Sequence, residues 1–174
     1  MNAEYSIQYL KQKVEGEREF WNGFLKTLLK TSSSVIDTQL EPIVQEVSAR
    51  INCRECANCC TKLEPGITEE EMKTLASLKS LPADDFQNIY VGKEEGTEIL
   101  FLKNTPCIFL TGKECSIYAC KPASCTAYPG LDRKELKYRL RRVFSHLTLC
   151  PIIYHTFSTL HQRYYERKQD QPSE

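Results

Sequence analysis

Residues 53–60 read CRECANCC, which places Cys53, Cys56, Cys59 and Cys60 within one short stretch, the last two adjacent. Five more thiols follow at Cys107, Cys115, Cys120, Cys125 and Cys150, a set of nine. A chain that carries cysteines in this way uses them either to cross-link itself or to hold metal. Close spacing brings several sulfurs to one locality at low loop-closure cost, as a thiolate metal site requires.

Cross-linking fits the sequence poorly. Disulfide frameworks belong to oxidising compartments and to small domains that lack a sufficient core. The opening MNAEYSIQYLKQKVEGE scatters charges among its apolar residues and does not read as a signal peptide. No run approaches the roughly 18 apolar residues of a membrane span. Nine is odd, and Cys59 and Cys60 are too close for an ordinary bridge to each other. With 174 residues and 41% hydrophobic content the chain can build a core without staples. The expectation is a cytosolic metal-binding protein. Lys plus Arg and Asp plus Glu both total 23, so no global field favours nucleic acid or an anionic membrane, and neither is expected as a partner.

The flanking pattern is mostly helical. Ile7, Leu10, Val14, Trp21, Phe24 and Leu28 recur at helical steps and predict one long helix, weakened at Gly16 and Gly23 and ended by TSSS at 31–34. Leu40, Ile43, Val44, Val47 and Ile51 predict a second, with Pro42 near its start. Residues 1–51 are thus expected as a helical pair packed on the core, with docking to a protein partner as the other option. Thr68 and Glu71 form a capping box ahead of Met72, Leu75 and Leu78, and a short helix is expected at 83–90. EILFLKN and PCIFLTGKECSIY, around Thr111-Gly112, predict a small antiparallel hairpin. LKYRLRRVF alternates Leu136, Tyr138 and Leu140 with basic residues and reads as a strand, and Pro151 is placed to open a last helix with Ile153, Phe157 and Leu160 inside. The fold class is mainly α with a small antiparallel β hairpin (α+β), an irregular cysteine-rich metal-binding core packed by helices. The cysteine domain spans 52–165, and 166–174 reads as a disordered tail.

C-x2-C occurs twice in succession in the first cluster. A tight turn can aim two sulfurs at one ion; a helix would instead gather Cys53, Cys56 and Cys60 in an arc of roughly 60°, with Cys59 outside it. The second group, Cys107 to Cys125, is looser, and Pro106, Pro122 and Pro129 place it on constrained turns. Such turns lower the ordering entropy that metal binding must overcome. Cys150, just before Pro151, faces a helix N-terminus, which favours thiolate. His146, His155 and His161 show no metal spacing and read as surface or capping residues. Nine thiols suit zinc in Cys₄ sites or an iron–sulfur cluster such as [4Fe-4S]; the ferredoxin run matches only in part, because Cys60 follows Cys59 at once.

Taken in order, CRECANCC, PCIFLTGKECSIYACKPASCTAYP and LCP resemble the CxxCxxCC cysteine-cluster family of zinc- or iron-chelating proteins, over residues 50–155. The resemblance implies metal binding by Cys53, Cys56, Cys59, Cys60, Cys107, Cys115, Cys120, Cys125 and Cys150. Where that family has Arg-Pro and Cys-Arg, this chain has Lys121-Pro122 and Cys125-Thr126, which removes a bidentate donor but no ligand. Flagellin lysine N-methylases share the cluster, so the resemblance also admits a protein-lysine methyltransferase beside a metal-dependent redox enzyme. A third alternative is an interaction module with a structural metal.

Overall fold

A computed structural model gives the fold and describes residues 3–165; the tail expected at 166–174 lies outside the described residues. The helical stripe of the N-terminus forms α1 (Ile7–Gly16) and α2 (Arg18–Lys30). Ser6 caps α1 by accepting from the Tyr9 N–H, and the chain breaks after Gly16, whereas Gly23 stays inside α2. Helix α3 (Ser33–Arg50) starts well before the apolar stripe that announced it. Pro42 therefore lies in its interior rather than near its start, where it removes one i→i−4 hydrogen bond. Two short helices, α4 (Cys53–Cys56) and α5 (Asn58–Lys62), hold the first cysteine cluster.

Strand β1 (Gly66–Ile67) leads to α6 (Glu69–Leu78), whose capping box is complete, and α7 (Ala83–Tyr90) follows. Strands β2 (Val91–Lys93) and β3 (Leu100–Leu102) join β1 in an antiparallel sheet of order β1-β3-β2. EILFLKN thus pairs with β1 and β2, not with PCIFLTGKECSIY as its apolar run suggested. The hairpin at Thr111-Gly112 is made by β4 (Leu110–Thr111) and β5 (Glu114–Cys115) alone. Gly112 supplies the left-handed φ of 63° that its turn needs. Helix α8 (Ala123–Ala127) carries Cys125.

The segment expected as a strand is helical: a 3₁₀ turn at Leu136–Arg139 runs into α9 (Leu140–Phe144). Leu136, Leu140, Val143 and Phe144 are the buried residues, at helical spacing. Tyr138, which gave the alternation its third apolar member, is 79% exposed. Helix α10 (Pro151–Tyr164) has proline in its first turn, as its sequence indicated.

These elements pack into two compact units. One takes the chain up to Asn58 together with the chain from Pro129 onward; the other is Cys59–Tyr128. In the first unit α3 lies along α10, and Ile36, Leu40, Ile43, Phe157 and Leu160 are fully buried. Phe144 packs at 4.7 Å from Phe157 and 6.3 Å from Trp21, ring centre to ring centre. The Asp37 carboxylate accepts from the Glu135 and Leu136 N–H groups at 2.7 and 3.2 Å, pinning the left-handed Glu135. The second unit is built on Ile67, Met72, Leu75, Phe86, Leu102 and Phe109, with α6 against α7.

Candidate metal centre

Local structure decides where each thiol stands. In α4, Asn52 accepts from the Arg54 N–H at 3.0 Å and donates to Glu55 at 2.8 Å. The turn ends at Ala57, which takes a left-handed φ of 53°. That residue rules out the continuous helix across 53–60, so the arc linking Cys53, Cys56 and Cys60 does not form. Cys53 is exposed and Cys56 half-buried, both in the first unit.

The second unit holds six thiols. Cys59 and Cys60 lie on α5 with their sulfurs 3.9 Å apart. The Cys107 N–H donates to the Cys60 carbonyl at 2.8 Å, tying the start of the second cysteine group to the first. From there the chain turns at once: the Leu110 N–H donates to the Cys107 carbonyl, and Leu110 pairs with Cys115 across the hairpin. Cys107 and Cys115 both pack against the core of this unit. Cys125 sits on α8, whose Ala123 N–H donates to the Glu71 carboxylate at 2.7 Å; the same carboxylate closes the capping box by accepting from the Thr68 N–H at 2.8 Å. Glu71 therefore serves two helix starts, and because Pro122 has no capping side chain it replaces the missing cap of α8. Cys120 is exposed at the end of a 3₁₀ turn.

All nine cysteines are thiols, and no disulfide joins any two. The Cys60 thiol is pulled down to about 6, chiefly by the hydrogen bond from Cys59, with the Lys121 ammonium assisting and burial opposing. Burial pushes the Cys107 thiol up, and charge on Cys60 and Cys115 pushes the same way. Burial likewise raises Cys125, to about 11, with charge on Cys107, Cys60 and Cys115 adding to it. Cys107 and Cys125, on separate segments, thus both feel charge on Cys60 and Cys115. The resistance of Cys107 and Cys125 to ionising is what a bound cation would remove, since it stabilises thiolate. Soft, half-buried thiols of this kind suit zinc or iron. Among the described residues, no three Cys, His, Asp or Glu side chains already stand around a common point as ligands.

The other sequence candidates lie elsewhere in the first unit. Cys150 precedes α10 as expected, but it is only 6% exposed and part of the apolar core. His161 is sandwiched edge-on by Phe20 and Phe24 at 4.7 and 5.1 Å, and His155 packs against Tyr5 at 5.6 Å. Both are packing residues. Sequence reasoning missed Lys121, which lies 4.2 Å above the Tyr118 ring and acts on Cys60. Its position in the run Cys120-Lys121-Pro122 was the available signal.

A family model described as "CxxCxxCC: Putative zinc- or iron-chelating domain" matches residues 52–142. Comparison with curated proteins and with solved structures returned no match.

Proposed function

Since the chain belongs to the CxxCxxCC family of zinc- or iron-chelating domains, we propose that it is a cytosolic protein that holds zinc or iron through the thiolates of its second unit. Cys60, Cys107, Cys115 and Cys125 are the ligands this reading favours, with Cys59, its sulfur 3.9 Å from that of Cys60, as a fifth candidate. The observation that carries it is the hydrogen bond from the Cys107 N–H to the Cys60 carbonyl at 2.8 Å, which joins the two cysteine groups, supported by the charge of Cys60 and Cys115 acting on both Cys107 and Cys125. The odd number of cysteines and the adjacency of Cys59 and Cys60 suit a reducing compartment better than a disulfide framework. Bound zinc would stabilise the fold, whereas bound iron would add redox capacity. This chain's own contribution is to hold two cysteine segments together by backbone hydrogen bonding, to keep Cys60 ionised near neutral pH, and to shield the other thiols from water.

Elemental analysis with an absorption spectrum of protein isolated without oxygen tests the proposal. The expected result is zinc or iron in stoichiometric amount, lost in Cys60→Ser, Cys107→Ser and Cys125→Ser while circular dichroism still reports a folded chain. A sulfur-to-iron band in the visible identifies iron; a transparent, zinc-loaded sample identifies zinc. Negligible metal, together with nine titratable thiols, would refute it.

A further inference from the structure

An open groove of about 370 Å³ in the first unit lies between α2 and the segment from α9 to Thr148. Cavities that hold small molecules start near roughly 300 Å³, so its size admits one. Trp21, Leu25 and Phe144 supply an apolar wall, with Trp21 only 4% exposed and packed against Phe144. Arg18 and Arg141 border the same groove, one from each side. Neither guanidinium has an ion-pair or side-chain hydrogen-bond partner among the described residues. By contrast, Arg139 of the same unit clamps the Gly130 carbonyl at 2.7 Å, and Arg50 and Arg163 pair with Glu46. Among the described residues the only acid lining the groove is Glu15, so they set two positive charges against one negative. The Trp21 Nε1–H is buried without an acceptor among the described residues.

An apolar wall rimmed by two unengaged guanidinia fits one chemical class. We propose that this groove binds a small organic anion with an apolar body, its oxyanion held by Arg18 and Arg141 and its body laid against Trp21, Leu25 and Phe144. Guanidinium is the donor suited to this, because its planar fork matches carboxylate and phosphate oxygens and stacks on aromatic faces. The site is independent of the cysteine reading, since every lining residue belongs to the first unit. Carboxylate and phosphate share the chemistry, and the test separates them.

Trp21 is the one tryptophan of the chain, so its indole N–H gives a single nuclear magnetic resonance reporter on a residue that lines the groove. The purified full chain is titrated with octanoate, octyl phosphate and the neutral octanamide, all below the concentrations at which they micellise. The expected result is a saturable shift of the Trp21 indole signal with at least one anion. The tighter of the two names the headgroup, and octanamide binds at least about tenfold more weakly. Arg141→Gln and Arg18→Gln, both on exposed side chains, each weaken binding about tenfold, while Glu15→Gln tightens it. Arg18→Gln is the second variant should Arg141→Gln disturb α9. Absence of a saturable shift with either anion, octanamide binding as tightly as the anions, or affinity unchanged in both arginine variants would overturn the proposal.

Discussion

Glu71 offers the sharpest test of how the cysteine-bearing unit is held together. Its carboxylate accepts the Thr68 N–H at the start of α6 and the Ala123 N–H at the start of α8, and Thr68 returns a cap to the Glu71 N–H at 3.1 Å. Glu71→Ala removes two charge-assisted acceptors but leaves the Thr68 hydroxyl in place. Each lost bond lies near solvent, so water replaces part of it, and each contributes on the order of 0.5–1 kcal/mol, in line with a lost helix cap. The sum is about 1–2 kcal/mol. For a chain of this length 1.5 kcal/mol corresponds to a fall of about 3–6 °C in melting temperature. Glu71→Gln keeps one acceptor oxygen and should lose about half as much. Hydrogen exchange localises the effect: Thr68 and Ala123 amides should lose protection in Glu71→Ala, and the amides of α3 and α10 should not. An unchanged melting temperature, with Ala123 as protected as before, would refute the claim that this carboxylate caps both helices.

Other expectations follow from the same contacts. Phe157→Ala empties a fully buried site against Phe144 and should cost about 3–5 kcal/mol in urea unfolding. Asp37→Ala leaves the Glu135 and Leu136 N–H groups without their carboxylate and should cost about 1–2 kcal/mol, read in the same assay. Burial holds the His155 imidazole below its ordinary value of 6.5, so the unfolded chain takes up that proton first on acidification. Stability from this group is therefore complete above pH 6.5 and falls as pH drops through it; His146, shifted in the same sense by burial, adds to the slope. Urea midpoints measured between pH 7.5 and 5.5 should decline, and His155→Leu should flatten part of that decline. Stripping metal with a chelator should raise amide exchange in residues 59–128, because a bound ion stabilises the state that holds it.

Strong local signals were legible in the sequence. The capping box at Thr68 and Glu71, the helix at 83–90, the hairpin at Thr111-Gly112 and the proline opening α10 each rest on chemistry confined to a few residues, and each stands where it was expected. Elements decided by partners elsewhere were not legible. LKYRLRRVF fits a strand for five residues and a helix for nine; only the burial of Val143 and Phe144 and the exposure of Tyr138 decide between them. EILFLKN has an apolar run that any antiparallel neighbour satisfies, and nothing local marks the two-residue β1 as its partner. In β2, Gly92 fits because a Cβ there would come within 2.4 Å of the Phe101 ring on the paired strand, a constraint invisible along the chain. For the candidate site, spacing identified the thiols but could not show that Ala57 would turn left-handed and split the first cluster between two helices. Nor could it show that a backbone hydrogen bond would join Cys60 to Cys107, across a separation no spacing rule covers.

Asn58 is tied into the first unit from two sides: its amide donates to the Tyr5 carbonyl at 2.8 Å and to the Leu149 carbonyl at 3.0 Å, joining three remote parts of that unit. Both hydrogens of one NH₂ group are consumed, and no other side chain of this size offers two donors from one atom. Aspartate is nearly isosteric, yet it would aim oxygen at both carbonyls and leave them unsatisfied, at about 1–3 kcal/mol for each. Chemical ageing of asparagine yields that same aspartate. Position 58 is therefore one where a change invisible to any comparison of size costs two hydrogen bonds at once, and where deamidation would do the same damage as a mutation.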